Sequence, residues 1–465
     1  MRNITDVDAA GGVLRRSQIK PVYDATVPYW RTELHPIDDH RSTEELPEEC
    51  DIAIIGAGFS GVATAYHLDK LHDGKERPSI VMLEARRVCE GATGRNGGHV
   101  KMKTATVHGL IEKFGTELAM EVRDLVMAQN YALKDAVETE NLDCEFELRR
   151  SYDVYIDEDE AEKAKKDFLA NLKAGARWTR DVDMIEGKNI EQVTSIKGAK
   201  LALSVPICSL WPYKFVSQIL ARLVERKAVN LQTNTPVTSV DSTSPRHPSA
   251  SIIHTPRGTL KAKKLIFATN AYTAGICPSY HETITPVRGT ASHLVPSNLI
   301  SPHLSHTYNI NYARPSPTSK SRVDYLNPRP DGSIVVGGGN WTYSNSLSKW
   351  YDNFDDSTQL SEARPHFDSL MQRHFKGWEE SGAGVERVWT GIQGYTPDGL
   401  AHVGEVPGKE GRQWILAGFN GGGNAFIWLT AKGVVEMVAN GKDFEDTGLP
   451  KLFKTTEERL RQRME

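Results

Sequence analysis

The sequence predicts an α/β protein in which a doubly wound parallel sheet, collected from separated stretches of chain, carries an inserted α+β unit built on a mostly antiparallel sheet. Three observations predict it. Asp51-Ile-Ala-Ile-Ile-Gly-Ala-Gly-Phe-Ser-Gly61 passes from an apolar run through a glycine turn into a helix, and such a run suits a parallel strand buried on both faces. Ile80–Leu83 is a second apolar run and stops at Glu84. Far downstream, Trp414-Ile-Leu-Ala-Gly-Phe-Asn-Gly-Gly-Gly-Asn424 is again strand, glycine turn and helix.

Taken in order, residues 1–47 are polar apart from Tyr23, Tyr29 and Trp30 and are expected to lie as an arm over the surface. Apolar residues at helical spacing between Glu112 and Glu140 (Leu118, Val122, Leu125, Val126, Leu133, Val137) mark a buried helical stripe. Residues 144–156 alternate as a strand, and 158–174 read as an amphipathic surface helix. A helix over about Tyr213–Lys227 precedes the strand-like stretch Asn230–Val240, and Lys264-Leu-Ile-Phe-Ala-Thr-Asn-Ala-Tyr272 is a hydrophobic strand ending in small residues. Residues 281–385 are strand-rich, with many Pro, Ser and Thr. The resulting division gives residues 48–107, 206–280 and 386–446 to the parallel unit and 108–205 and 281–385 to the inserted unit, leaving 447–465 as a C-terminal tail.

The first turn suits the pyrophosphate of a dinucleotide, in a Rossmann-like setting. Gly56 permits a tight exit from the strand, Gly58 lets backbone approach phosphate oxygens, and Gly61 with Ala65 lets the helix pack close to the sheet. The helix N-terminus adds unpaired N–H groups and a partial positive charge. Glu84 is placed to accept hydrogen bonds from ribose hydroxyls, and its charge would repel a 2′-phosphate, which disfavours NADP.

Bulk properties exclude other classes. A chain of 465 residues can bury large cores, and its length suggests two or three domains. With 56 Lys and Arg against 60 Asp and Glu, and no long run of one sign, it carries no electrostatic footprint for nucleic acid. Cys50, Cys89, Cys144, Cys208 and Cys277 are odd in number and never spaced as CxxC, which fits reduced thiols and neither a metal site nor a redox disulfide. Residues 1–50 do not read as a secretory signal, and the most apolar late helix, about 425–439, is interrupted by Lys432 and Glu436. No membrane association is expected, and the cytoplasm is the default location; the oligomeric state is left open.

Two further glycine sites point to FAD rather than NAD. Gly91-Ala-Thr-Gly-Arg-Asn-Gly-Gly-His99 is too glycine-rich for an element interior and is expected to bring backbone amides and the Arg95 guanidinium to an extended ligand. Asn420–Asn424, opening the last helix, offers amides and a helix dipole to the N1/C2 side of a reduced isoalloxazine ring. On these residues, with Leu265-Ile-Phe-Ala-Thr-Asn-Ala-Tyr-Thr273 and Tyr395-Thr-Pro-Asp-Gly-Leu-Ala-His-Val-Gly-Glu-Val-Pro407, the chain resembles the glycine/D-amino-acid oxidase (DAO) superfamily of FAD-dependent oxidoreductases. The resemblance runs from about residue 48 to 445, and in motif it is most similar to the gamma-glutamylputrescine oxidase-like branch.

The resemblance implies that FAD is held by Gly56, Ala57, Gly58, Ser60 and Gly61 on the first turn and by Glu84, Ala85 and Arg86 after the second strand. It further implies Ala92, Thr93, Gly94, Arg95, Asn96, Gly97 and Gly98 on the glycine loop, then Val237, Thr269 and Asn270. Gly394, Gly418, Asn420, Gly421, Gly422, Gly423 and Asn424 complete the ring end. It also implies a small-molecule amine lying over the flavin, hydride loss from the carbon bearing nitrogen to N5, and hydrolysis of the imine. Three departures stand out. The flavin-tethering cysteine of the sarcosine-oxidase branch is Gln393 here, its oxygen-activating lysine corresponds to Val335, and its carboxylate-pinning lysine corresponds to Ala425. That covalent linkage is therefore unavailable, a small amino acid held by its carboxylate is disfavoured, and molecular oxygen is the expected but not the sole admissible acceptor.

His99, Arg288 and Tyr395 are the catalytic candidates, each against a competing packing role. His99 follows the glycine loop and is suited to touch the ring, tether it or accept a proton from the amine. Trp341, Trp350 and Trp389 are candidates for an apolar or cation-binding wall, with core packing the favoured alternative. His303 and His306 have HxxH spacing but no accompanying acids or cysteines, so no metal is expected. Gly337–Gly339 is not a second nucleotide turn, because position 342 is Thr. The expected activity is oxidation of a C–N bond in an amine or amino acid, with hydrogen peroxide formed when oxygen reoxidises the flavin. A flavin dehydrogenase or tailoring enzyme using another acceptor, and a non-catalytic FAD-binding protein, are the alternatives.

Overall fold

The computed structural model describes residues 19–241, 250–316 and 319–464. Two sheets organise them. The first runs, edge to edge, through His402–Glu405, Gln413–Ala417, Gly258–Phe267, Glu49–Ile55, Ile80–Leu83 and Asn230–Gln232. Every neighbouring pair along it is parallel except the His402–Glu405 edge. The strand Glu49–Ile55 is covered on both faces: Ile52 and Ile54 join a core with Phe59, Phe215 and Trp428, whereas Ala53 and Ile55 join Leu265, Phe267 and Tyr280. Alternate residues point to opposite faces, so the apolar run in the sequence reflects helices on one side and, on the other, a core that includes Ile253 of the antiparallel strand Ser251–Thr255.

The second sheet is built from Gly384–Tyr395, Thr285–Val295, Ile334–Gly337, Arg322–Pro328, Thr307–Tyr312, Glu147–Tyr155, Leu201–Ser209 and His99–Val100 in that order, with Asp183–Glu186 also on Leu201–Ser209. It is antiparallel apart from the pair Thr307–Tyr312 and Glu147–Tyr155, as the sequence led one to expect. The elements at the expected boundaries differ. Gly384–Tyr395, His99–Val100 and Leu201–Ser209 reach into ranges assigned to the parallel unit, yet all three pair in the second sheet. For Gly384–Tyr395 the reason is a long antiparallel partner, registered from Thr285 opposite Tyr395 to Val295 opposite Gly384.

Three other local expectations are corrected. The stripe from Glu112 to Glu140 is two helices, Thr104–Phe114 and Thr116–Thr139, because Gly115 adopts φ of 83° between them. The arm is partly core: Trp30 is wholly buried beside Tyr29 and Trp211, and Arg31 makes a buried ion pair with Asp38 at 2.8 Å, although Tyr23 is exposed. The first 18 residues of the arm lie outside the described residues. The tail is docked, with Lys454 bridging Val403 and Arg459 Nε 2.7 Å from Asp398.

Candidate active site

A cavity of about 1040 Å³ lies where the parallel strands end and one face of the second sheet begins. The three glycine corners meet on it. At the first, Gly56 has φ of 109° and a Cβ there would sit 2.7 Å from the Ala268 carbonyl oxygen. Phe59 N donates to Thr93 Oγ1 at 2.9 Å, tying the first turn to the loop 91–98. That loop is tied in turn to the third corner, where Asn424 Nδ2 donates to Asn96 Oδ1 at 3.0 Å. Asn270 Oδ1 accepts from Gly418 N at 3.0 Å, and Asn420 Oδ1 accepts from Thr396 N at 2.8 Å, so the third corner is braced from two sides.

Glu84 stands at the nucleotide end. Its oxygens accept from Ala57 N at 2.8 Å and Arg86 N at 2.9 Å. Burial pushes this carboxyl up from its ordinary value while the two backbone N–H groups oppose that rise. Each carboxylate oxygen has a second lone pair, so capacity to accept from a sugar hydroxyl remains.

The sequence-predicted residues separate into three groups. Gly56, Gly58, Ser60, Glu84, Ala85, Ala92, Thr93, Asn96, Val237, Thr269, Asn270, Asn420, Gly421, Gly422, Gly423 and Asn424 line the cavity, as do His99, Arg288 and Tyr395. Ala57, Gly61, Gly94, Gly97, Gly98, Gly394 and Gly418 do not appear on its wall and act behind it. A Cβ on Gly97 would meet the Tyr325 ring and one on Gly98 the Trp30 ring; Gly394 abuts Ala271, Gly418 faces Thr396, and Gly94 lies against the Cys89 carbonyl.

The third group lines the cavity but is also engaged by other residues. Arg86 and Arg95 border the cavity, but the Arg95 guanidinium is taken up by Glu90 O, Thr26 Oγ1 and Thr390 O and by Asp356, and Arg86 pairs with the same aspartate at 3.0 Å. A buried carboxylate attracts both cations more strongly than a distant ligand can. Arg288 is similarly engaged, donating to Lys349 O and to Thr358 O and Oγ1, which fixes the 349–358 segment on the cavity rim. Trp389 is core, its Nε1 donating to Arg95 O, whereas Trp341 and Trp350 do reach the cavity.

His99 is enclosed, edge-on to Tyr325 with ring centroids 5.3 Å apart, and its Nδ1 has no hydrogen-bond partner among the described residues. Burial, with the charges of Lys101, Arg149 and Arg329, holds its pKa well below the usual histidine value. The shift favours the neutral ring. Tyr395 is held high by burial.

Two residues with chemical capacity were missed. Lys101 and Lys103 follow His99 at alternate positions and line the same cavity. The signal was the alternation His99-Val100-Lys101-Met102-Lys103, whose odd members share a face. Lys101 Nζ donates to Ser151 Oγ at 3.1 Å and Tyr308 O at 3.0 Å, and burial brings its pKa down to about 7. Asp153 opposes that shift, and Lys103 and Arg149 reinforce it.

The depressed lysine has a consequence for stability. Between pH 7 and the ordinary lysine value the unfolded chain holds a proton the folded chain has released, so stability rises with pH there; below about 7 the fold carries the full cost of the buried charge. Lys101→Met is expected to stabilise the chain most below pH 7. Its advantage should shrink by up to about 1.4 kcal/mol per pH unit above that, read from urea midpoints. A gap between variant and parent that is flat in pH would refute the assignment.

The fold and cavity together have the architecture of a dinucleotide-binding oxidoreductase, with a glycine cradle at the end of the first strand and Glu84 at the end of the second, both on the cavity wall. The chain belongs to the family of FAD dependent oxidoreductases (DAO), whose sequence profile matches residues 51–437. It is 26% identical over 211 residues to a protein of Bacillus subtilis (strain 168) named as a Rieske 2Fe-2S iron-sulfur protein, YhfW, a match spanning 44% of this chain and 37% of that relative. It is 28% identical over 98 residues to gamma-glutamylputrescine oxidoreductase of Escherichia coli (strain K12), spanning 21% of this chain and 22% of the relative. The matches thus cover well under half the length of these curated relatives.

Among solved structures, glycine oxidase from Geobacillus kaustophilus superposes with a TM-score of 0.65 at 19% identity, covering 87% of this chain and 99% of that one. L-amino acid deaminase from Proteus myxofaciens, in complex with anthranilate, gives 0.67 at 15% identity, covering 95% and 99%. At these identities the likeness is one of fold. The five cysteines are all buried and unpaired. Among the described residues no helix is long and apolar enough to cross a membrane, and no cluster of His, Cys, Asp and Glu is arranged to hold a metal ion.

Proposed function

We propose that the chain oxidises a C–N bond of a small amine or amino acid. The observation that carries this reading is the continuity of one cavity, from Gly56 and Glu84 past His99 and Asn420–Asn424 to a chamber walled by Tyr325, Tyr343, Trp341 and Trp350. When bound, FAD supplies a two-electron acceptor for hydride. The first turn and Glu84 are the residues to hold its phosphates and ribose, and the amides of Gly421–Gly423 are suited to negative charge at the ring end. The aromatic wall excludes water and orients the substrate. His99, whose neutral ring is favoured, packs beside the ring site and in that form donates or accepts a hydrogen bond without carrying charge. The names of the relatives, an oxidoreductase of gamma-glutamylputrescine, an oxidase of glycine and a deaminase of L-amino acids, support a nitrogen-bearing donor.

The purified protein is expected to be yellow and to lose its oxidised-flavin band when an amine or amino acid of a broad panel is added anaerobically. Admitting air then separates acceptors: fast recovery with peroxide marks oxygen, and slow recovery a different acceptor. Absence of flavin bands even after FAD is supplied would overturn the reading. A flavin that no member of the panel bleaches would favour FAD binding without turnover.

A further inference from the structure

We infer that residues 19–30 of the arm belong to the cofactor site: residues 19–21 cover its nucleotide end and Thr26 fastens the glycine loop, so that the arm and FAD hold each other in place. The inference rests on the reading of this cavity as the seat of FAD, and it adds a segment that precedes the residues matched by the family profile. Ile19, Lys20 and Pro21 line the cavity beside Pro236, Val237 and Ile276. Ile19 is buried in the same core as Val237 and Ile276, whereas Tyr23 is 68% exposed, so the arm passes from cavity wall to solvent within a few residues.

Residues 19–28 form no helix or strand, and their anchors are hydrogen bonds to the residues around the glycine loop. Arg86 Nη1 donates to Val22 O at 2.8 Å. Thr26 Oγ1 accepts from Arg95 Nη1 at 3.0 Å and from Thr390 N at 3.1 Å, and it donates to Asp356 O at 3.0 Å. The same Asp356 oxygen accepts from Thr26 N at 2.8 Å. Trp30 Nε1 donates to Asn96 O at 2.5 Å. A segment without ladder bonds of its own owes its order to such contacts, and a ligand filling this end of the cavity adds contacts to residues 19–21. Arm and ligand are then linked: the factor by which FAD favours the closed arm is the factor by which the closed arm tightens FAD. Gly275 offers a way to displace the arm from outside the cavity. It lies in the short helix Thr273–Ile276, away from the cavity wall, and a Cβ there would sit 2.0 Å from Ile19 O.

The test is chymotryptic cleavage after Tyr23, followed by mass spectrometry in FAD-loaded and flavin-stripped protein, together with the rate at which loaded protein releases FAD, read from flavin fluorescence. Cleavage after Tyr23 should be roughly tenfold or more slower in the loaded protein. Gly275→Ala, which pushes Ile19 aside, and Thr26→Val, which removes the hydroxyl at nearly constant shape, should each release FAD roughly tenfold faster and be cut faster after Tyr23, with cleavage elsewhere in the chain at the parent's rate. Gly109→Ala, with nothing near a new Cβ, should change neither. If Gly275→Ala fails to fold, Thr26→Val decides alone. Cleavage after Tyr23 at equal rates with and without FAD, or variants cut faster that keep FAD as long as the parent, would overturn the inference. A chain that takes up no FAD overturns the reading of the cavity and the inference with it, and that result is seen before protease is added.

Discussion

Gly61→Ala is expected to cost about 3 kcal/mol or more and to strip the protein of most of its FAD. A Cβ at this position would lie 1.9 Å from the Gly56 carbonyl oxygen and 3.2 Å from Ile54 Cγ2. The obstacle is backbone, so no side-chain rotation relieves it and the helix Phe59–Leu71 must retreat from the strand Glu49–Ile55. That retreat moves the helix N-terminus and the amides that form the first corner. Urea denaturation with the flavin-to-protein absorbance ratio measures both effects. Gly109→Ala is the matched control: it lies exposed within the helix Thr104–Phe114 with nothing near a new Cβ, so it should stabilise by roughly 0.5–1 kcal/mol and leave flavin content alone. Equal stability and flavin content in Gly61→Ala and the parent would show that the corner tolerates a wider helix–strand spacing.

The second large effect is expected for Asp356→Ala, at about 3–5 kcal/mol. Its side chain is fully buried between Arg86, 3.0 Å away, and Arg95, 3.4 Å away, themselves almost entirely buried. Removing the carboxylate leaves two guanidiniums with only the weaker field of Glu90 as counter-charge in a medium that solvates them poorly. The Asp356 carbonyl, which accepts from Thr26 N at 2.8 Å, survives the substitution, so the loss reports the side chain. Asp356→Asn keeps the shape and some hydrogen bonding and should fall between parent and alanine variant. A loss below about 1 kcal/mol would mean that water or a rearranged carboxylate compensates the arginines.

This aspartate also explains what the sequence conceals. An arginine inside a glycine-rich loop looks like an anion receptor, and Arg95 was read so; Asp356, distant in sequence, captures its guanidinium once the chain is folded. The lysine pair was legible in principle, since the alternation after His99 puts His99, Lys101 and Lys103 on one face, but nothing local says that this face closes a chamber. Likewise, Gly384–Tyr395 has a strand pattern that fits either sheet, and only the long register with Thr285–Val295 selects one.

By itself the sequence determined the first corner, the acid after the second strand and the parallel character of the sheet around them. Each is a short-range matter of strand, turn and helix, in which glycine geometry and apolar runs act over a few residues. The tertiary structure alone decided which cations are neutralised and which face the cavity, because an ion's partner is whatever the fold brings within a few ångströms. Asp356 draws both Arg86 and Arg95 into ion pairs, whereas Lys103 feels the field of Asp153 without an ion-pair partner among the described residues.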